Sequence, residues 1–497
     1  MSTTPPEDAG DTDGPSRPEH AGKPQGAGTP EGADSPQSAQ APGRDRRPIS
    51  RQILSLAIPA LGALIAEPLF LLADTAIIGR LGVPELAGAA LGVTVMNTVV
   101  GLMIFLAYST TPAVARYVGA GKLPKALAAG RDGVWLAVAL GVVLALAGLA
   151  FGEEILTGLG SSGEIHPHAV AYLLWSLPGL PAMLLVFAAV GTLRGLQDTK
   201  TPLVVAAAGF AANALLNLVL VHPVGLGVAG AAIGTSIAQW GMAVTYLVML
   251  IPRLRAHGVG LAADPIGLRT SFTVGWWMFL RTLTLRAALL ATVVVATDLG
   301  AQTLAAHQVA FTVFSTLAFA LDALAIAAQA LIGRELGASR QHEARRLVRT
   351  MVVWSLGFGL ITGALTALAA PWVPRLFTPD AQVAAGITVA LLVMAVAQPL
   401  AGYVFILDGV LMGAGDVKYL AMAGLVNLAI YIPFLGWVHR WATDPQIDLF
   451  RPPMAASGTE TILWLWVGFA VVFMGARALT LGVRAAGTRW MVLGESR

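Results

Sequence analysis

Apolar stretches recur along this chain, separated by short charged or Pro- and Gly-rich breaks. Twelve run approximately over 53–78, 86–115, 126–150, 168–193, 202–221, 228–250, 270–297, 304–332, 347–370, 382–411, 418–438 and 460–483. Each is near or above the roughly 20 residues that an α-helix needs to cross a bilayer. The pattern predicts an all-α polytopic membrane protein with about twelve transmembrane helices. Residues 1–48 break it, being rich in Pro, Gly, Ser, Asp and Glu with almost no large apolar side chains. Such a segment buries too little surface to offset its ordering entropy, so a disordered cytoplasmic tail is expected there. It contains no apolar core of a signal peptide.

The breaks carry charge in alternation. Arg44, Arg46, Arg47 and Arg51 precede the first span, and Arg116, Lys122, Lys125 and Arg131 follow the second. Arg194 and Lys200 follow the fourth, Arg253, Arg255 and Arg269 the sixth, and Arg340, Arg345, Arg346 and Arg349 the eighth. The break after the third span instead holds Glu153, Glu154 and Glu164. Positive charge stays on the cytoplasmic side, which predicts a multi-pass protein of the cell's inner (plasma) membrane with both termini cytoplasmic.

A repeat underlies the pattern. A-R-Y-V-G-A-G around Arg116 matches G-R-E-L-G-A-S around Arg334, an offset of 218. The same offset pairs Leu81-Gly82 with Leu299-Gly300, and G-T-L-R-G-L-Q-D-T-K from Gly191 with G-V-L-M-G-A-G-D-V-K from Gly409. Each half holds six spans, so both run the same way through the membrane. Two six-helix lobes related by a pseudo-two-fold along the membrane normal follow, 49–255 (TM1–6) and 256–490 (TM7–12), with 491–497 as a C-terminal tail. A substrate site is expected where they meet.

Composition narrows the function. The chain is 56% hydrophobic and 12% charged, about half the charged fraction of a soluble protein. The net charge of +3 reflects loop placement and implies no nucleic acid. With no cysteine, disulfides, thiolate metal sites and thiol catalysis are excluded. Neither a phosphate-binding G-x-x-x-x-G-K-[ST] loop nor H-E-x-x-H occurs, and no nucleophile–base pair stands out. An enzyme, a resident metal and a cofactor are therefore not expected.

The ionisable groups read within the spans are Glu67, Asp74, Asp322, Asp408, His307, Arg281 and Arg286. Two arginines balance only two of four acids, so the remainder must face water, bind a cation or carry a proton. Glu67 and Asp74, seven residues apart, share a helical face. Pro68 between them leaves the carbonyl of Ile65, or one close to it, without a backbone donor. Asp74 is either a proton- or cation-exchanging group or a structural bond to Asn213 or Asn217, which lie four apart on one face of span five. Glu67 is a second acid or a cap for backbone freed by Pro68. Asp322 and Gln329 share a face in the second half, and with Asp408, Arg281, Arg286 and His307 they are the candidates for lining the substrate cavity. Asp408 lies in the cavity or pairs with Arg281, and His307 is a helix contact or a switch. Trp276, Trp277 and Met278 line a cavity or anchor an interface.

E-P-L-F-L-L-A-D-T-A-I-I-G-R-L-G from Glu67, R-Y-V-G-A-G from Arg116, A-A-H-Q-V-A from Ala305 and L-D-G-V-L-M-G-A-G-D from Leu407 resemble the multidrug and toxic compound extrusion (MATE) family, in particular its DNA-damage-inducible-F (DinF-like) branch. The resemblance covers about residues 50–490. It implies two six-helix lobes around a V-shaped cavity, a monomer in the lipid bilayer, and efflux of cationic amphipathic drugs driven by H⁺ or Na⁺ without a cofactor. The family's proton-accepting acid at the D-T of the first helix matches Asp74, with Pro59 and Pro68 suited to bending that helix. Many members read N-x-x-x-D on the fifth helix, whereas Val221 stands four residues after Asn217. A second carboxylate is missing there, which favours H⁺ over Na⁺. A flippase of lipid-linked sugars is the other export reading, but it calls for a more basic cavity.

Overall fold

The computed structural model describes residues 48–443 and 458–494. The tail expected over 1–48 falls, apart from Pro48, outside the described residues, as do the side chain of Glu67 and residues 495–497. Among the described residues, twelve helices are long and apolar enough to cross a bilayer. They are α1 (Ile49–Ile78), α2 (Val83–Gly119), α3 (Leu123–Gly158), α4 (Ile165–Gly195), α5 (Lys200–Val221), α6 (Gly227–Ala256), α7 (Pro265–Asp298), α8 (Ala301–Gly337), α9 (Gln341–Ala369), α10 (Ala381–Gly413), α11 (Val417–Thr443) and α12 (Thr459–Ala486). Most run a few residues past the apolar windows, because polar first and last turns continue a helix that hydropathy alone cuts short.

Local chemistry sets several starts. Pro265 opens α7 after Asp264, whose carboxylate accepts from the Ile266 amide at 3.2 Å. Asp380 caps α10 by accepting from the Gln382 and Val383 amides at 2.8 and 2.9 Å. Both arrangements satisfy N–H groups that a helix start leaves unpaired. Helix α1 runs unbroken through Pro59 and Pro68. Among the described residues, three spans change winding: α2 at Ile104, α4 through a 3₁₀ turn at Leu177–Gly179, and α12 through a π segment at Gly468–Phe473.

The repeat is visible as matched contacts. Gly141 packs on Pro181, and 218 residues on, Gly359 packs on Pro399. Where the lobes meet, Gly119 lies against the Arg334 carbonyl and Gly337 against the Arg116 carbonyl. The two contacts are reciprocal, as a two-fold requires, and glycine is what lets the backbones approach so closely.

The lobes join at the end bearing Arg116, Arg334 and Arg340, here the basic end. Phe105–Gly119 of α2 packs on α7, α8 and α10, whereas Val83–Met103 touches the second lobe only slightly, through α7. Ala60 of α1 packs with Ala323 and Ile326 of α8. The lobes therefore close on each other at the basic end and diverge towards the opposite one. Arg116 donates to the carbonyls of Ala414, Val492 and Gly494 at 2.9, 2.9 and 3.2 Å, and the Gly494 amide donates to Leu336 at 3.0 Å. The described part of the C-terminal tail, through Gly494, is thus folded into the seam. Arg334 donates to Gln197 and Gln52 at 2.7 and 2.9 Å.

Candidate functional site

Asp74 lies near the far end of α1, only 3% exposed within the first lobe. Its Oδ1 accepts from Asn217 Nδ2 of α5 at 2.6 Å. Asn213, one turn earlier, is also buried, and the side-chain carbonyl oxygens of both asparagines have no donor among the described residues. Gly234 of α6 leaves the room into which Asn217 Oδ1 projects. A carboxylate and two undonated amide oxygens are thus held in one apolar lobe, with an amide rather than a base bonded to the acid. Oxygen-only groups in this setting suit a proton or a hard cation.

The second lobe lacks the counterpart. At the position equivalent to Asp74 stands Thr292, and its hydroxyl meets the hydroxyl of Tyr431, the equivalent of Asn213, at 2.7 Å. Neither replacement is a carboxylate.

Asp408 and Asp322, the other acids read within the spans whose side chains are described, are partnered. Asp408 of α10 is gripped by Arg281 of α7 through both carboxylate oxygens and by Arg477 of α12 at 3.2 Å. All three are buried, and a buried carboxylate between two guanidiniums is a structural clamp. Asp322, half-buried on α8, accepts from the Tyr108 hydroxyl of α2 at 3.0 Å, a bond that crosses between the lobes. Arg194 and Arg281 are within its electrostatic reach. Gln329 is buried in the α8–α10 contact, its amide against Met412 Sδ at 3.6 Å. His307 is buried between Phe311 and Trp466, with ring centroids at 5.8 and 5.7 Å. Arg286 is exposed on α7, its guanidinium lying over Gly101 of α2. Met278 is fully buried while its neighbour Trp276 is exposed. Of the residues read as cavity candidates, Arg281, His307, Gln329 and Asp408 are packed between helices in this conformation.

Counting charges along the sequence missed Arg477 and Arg194, which the helices carry into the interior, and Tyr108, whose hydroxyl serves Asp322. Arg194 sits at a span end, where hydropathy assigns such residues to loops, whereas Arg477 lies inside the twelfth apolar stretch, on the amphipathic segment Met474–Ala486 that turns it inward. Among the described residues, no three His, Cys, Asp or Glu side chains converge to hold a metal.

Two six-helix lobes related by a repeat, joined at one end and parted at the other around buried polar groups, define a membrane transporter fold. The MatE family model matches residues 59–219 and 278–437, well over half of the chain, and the protein belongs to the MATE family of transporters. Among curated proteins it is 29% identical to Protein DETOXIFICATION 44, chloroplastic, of Arabidopsis thaliana over 90% of this chain and 84% of that one. It is likewise 29% identical to the DNA damage-inducible protein F of Escherichia coli (strain K12), over 77% and 85%. Its fold matches the Vibrio cholerae MATE transporter VcmN in the bent form with a TM-score of 0.77 at 20% identity, covering 89% and 98% of the two chains. A MOP superfamily transporter from Pyrococcus furiosus matches with a TM-score of 0.78 at 20% identity, over 89% and 97%.

Proposed function

We propose that this transporter exports amphipathic drugs in exchange for H⁺, with Asp74 as the coupling carboxylate. The observation that carries the reading is the Asp74–Asn217 pair, a buried acid bonded to an amide instead of a base. Neutral, the acid is tolerated in a closed, dry lobe. Ionised, it needs water or a cation beside it. Gaining and losing a proton therefore favours different degrees of opening of the first lobe, and Pro68, six residues before Asp74, gives α1 a point at which to bend. The positive-inside pattern supports a plasma-membrane protein with both termini cytoplasmic and the basic end inward. The lobes divide at the break between α6 and α7, and the working unit is a monomer.

The resemblance implies cationic drugs, but with the buried Arg194 and Arg477 added to Arg281 and Arg286, the four acids read within the spans are matched by four arginines, so the charge of the drug is left to the cleft itself.

Sodium is the second reading, favoured by the undonated oxygens of Asn213 and Asn217 beside the carboxylate. One experiment separates the two. Proteoliposomes holding wild type or Asp74→Asn are given a pH gradient, with or without Na⁺, and ethidium flux is followed. Flux driven by the pH gradient alone, and lost in Asp74→Asn at normal insertion, supports H⁺ coupling at Asp74. Dependence on Na⁺ supports the second reading, and undiminished flux in Asp74→Asn removes Asp74 from the mechanism.

A further inference from the structure

The faces by which α2 and α8 meet at the basic end can be followed to where the lobes part. On α2 the seam face runs through Arg116, Pro112, Tyr108 and Phe105; beyond the turn at Ile104, Gly101 still faces the second lobe, against Arg286, and Thr98 and Thr94 follow it one and two turns further on. On α8 the seam face runs through Arg334, Ala330, Ile326 and Asp322; Thr316 and Thr312, respectively 18 residues or about five whole turns from Arg334 and Ala330, return to the same face. All four threonines are exposed, and the repeat pairs them, Thr94 with Thr312 and Thr98 with Thr316. Lipid-facing spans look different, as Leu360, Ile361, Leu365 and Leu368 on α9 illustrate. The threonine stripes are therefore the two walls of the interlobe cleft.

Each threonine hydroxyl donates to the carbonyl four residues earlier, at 2.8 to 2.9 Å. The walls consequently offer oxygen acceptors and no charge. The charge comes from Arg286 of α7. It lies mid-span, 12 residues before the helix ends at Asp298, about 18 Å along the axis. It is exposed, and among the described residues no hydrogen bond or ion pair engages it. A Cβ on Gly101 would stand 2.5 Å from its Nη2, so the guanidinium reaches across to the first lobe where the cleft begins. An exposed guanidinium at this depth faces water rather than lipid.

Among the described side chains, Asp74 and Asp408 are buried within their lobes and Asp322 is tied to Tyr108. We propose that the cleft binds amphiphiles through an oxyanion, a carboxylate or phosphate gripped by Arg286, with the threonine oxygens accepting from N–H or O–H groups on the same ligand. This rests on the transporter reading but not on its coupling ion. A free amphiphile and a lipid headgroup can both supply the oxyanion.

The test is equilibrium binding to the purified full chain in phosphatidylcholine nanodiscs. The probes are radiolabelled dodecanoate, methyl dodecanoate and dodecylamine. Saturable dodecanoate binding is expected, weakened roughly tenfold or more by Arg286→Gln and less by Arg286→Lys, with the ester and the amine insensitive to either change. Adding phosphatidylglycerol to the discs distinguishes the sources. Competition supports a headgroup at Arg286, and its absence supports a free amphiphile. The proposal is overturned if dodecanoate binds no better than its ester, shows no saturable binding, or binds Arg286→Gln as it binds wild type. The assay has no gradient, so charge-selective binding without pH-driven flux would remove the coupling reading and leave this one standing.

Discussion

Asp74 and Thr292 occupy equivalent places in the two repeats, yet one is a carboxylate bonded to Asn217 and the other a hydroxyl bonded to Tyr431. The lobes share a fold while only the first places an ionisable group at this point. Coupling chemistry is therefore expected to be one-sided. Asp74→Asn should abolish gradient-driven flux at normal expression. Thr292→Val should leave flux within about twofold and cost about 1 kcal/mol of stability, the usual worth of a buried hydrogen bond. Parallel flux and thermal-unfolding measurements on the two variants check this.

The Arg281–Asp408–Arg477 clamp gives a stability prediction. Asp408→Ala strands two guanidiniums in the second lobe and should cost about 3–5 kcal/mol, as breaking a buried pair from one side does. The double change Arg281→Met with Asp408→Leu should recover only part of that loss, because Arg477 stays buried without its carboxylate. Unfolding of the purified variants in detergent would show whether the double variant is the more stable.

Tyr108→Phe removes the bond to Asp322 that links the lobes. About 1 kcal/mol should be lost from the conformation closed at the basic end. Since the same bond does not hold either lobe together internally, the effect should appear in the conformational balance more than in unfolding. Spin-label distances across the basic end, compared with wild type, would register a larger open fraction.

The absence of native cysteine makes the seam directly testable. A Cβ on Gly333 would lie 2.9 Å from the Ala115 Cβ, within reach of a disulfide after slight relaxation. Oxidising the pair Ala115→Cys with Gly333→Cys should stop transport, and reductant should restore it. Persistent flux in the fully cross-linked protein would show that the seam does not open during the cycle.

Much of the fold was legible because a bilayer imposes its thickness on the sequence. The twelve spans, the 218-residue register and the isolation of Asp74 follow from run lengths and from the cost of charge in hydrocarbon. What escaped was partnership. Arg477 is 69 residues from Asp408 and Arg281 is 127 from it, and helical periodicity says nothing about which distant helix a charged face will meet. The choice left open for Asp408 was resolved by packing alone, in favour of the pair with Arg281. The polarity of the cleft was equally hidden, because adding up span charges gives equal weight to groups buried in pairs and to groups facing water.

The π segment at Gly468–Phe473 has a consequence for α12 as a mechanical part. Its extra residue turns everything beyond it by about 100°, so the Trp466 side that covers His307 and the Arg477 side that reaches Asp408 are phased independently. Deleting one residue there would shorten the helix by only about 1.5 Å, while swinging Arg477 away from its carboxylate. Length would survive such a change, and phase would not.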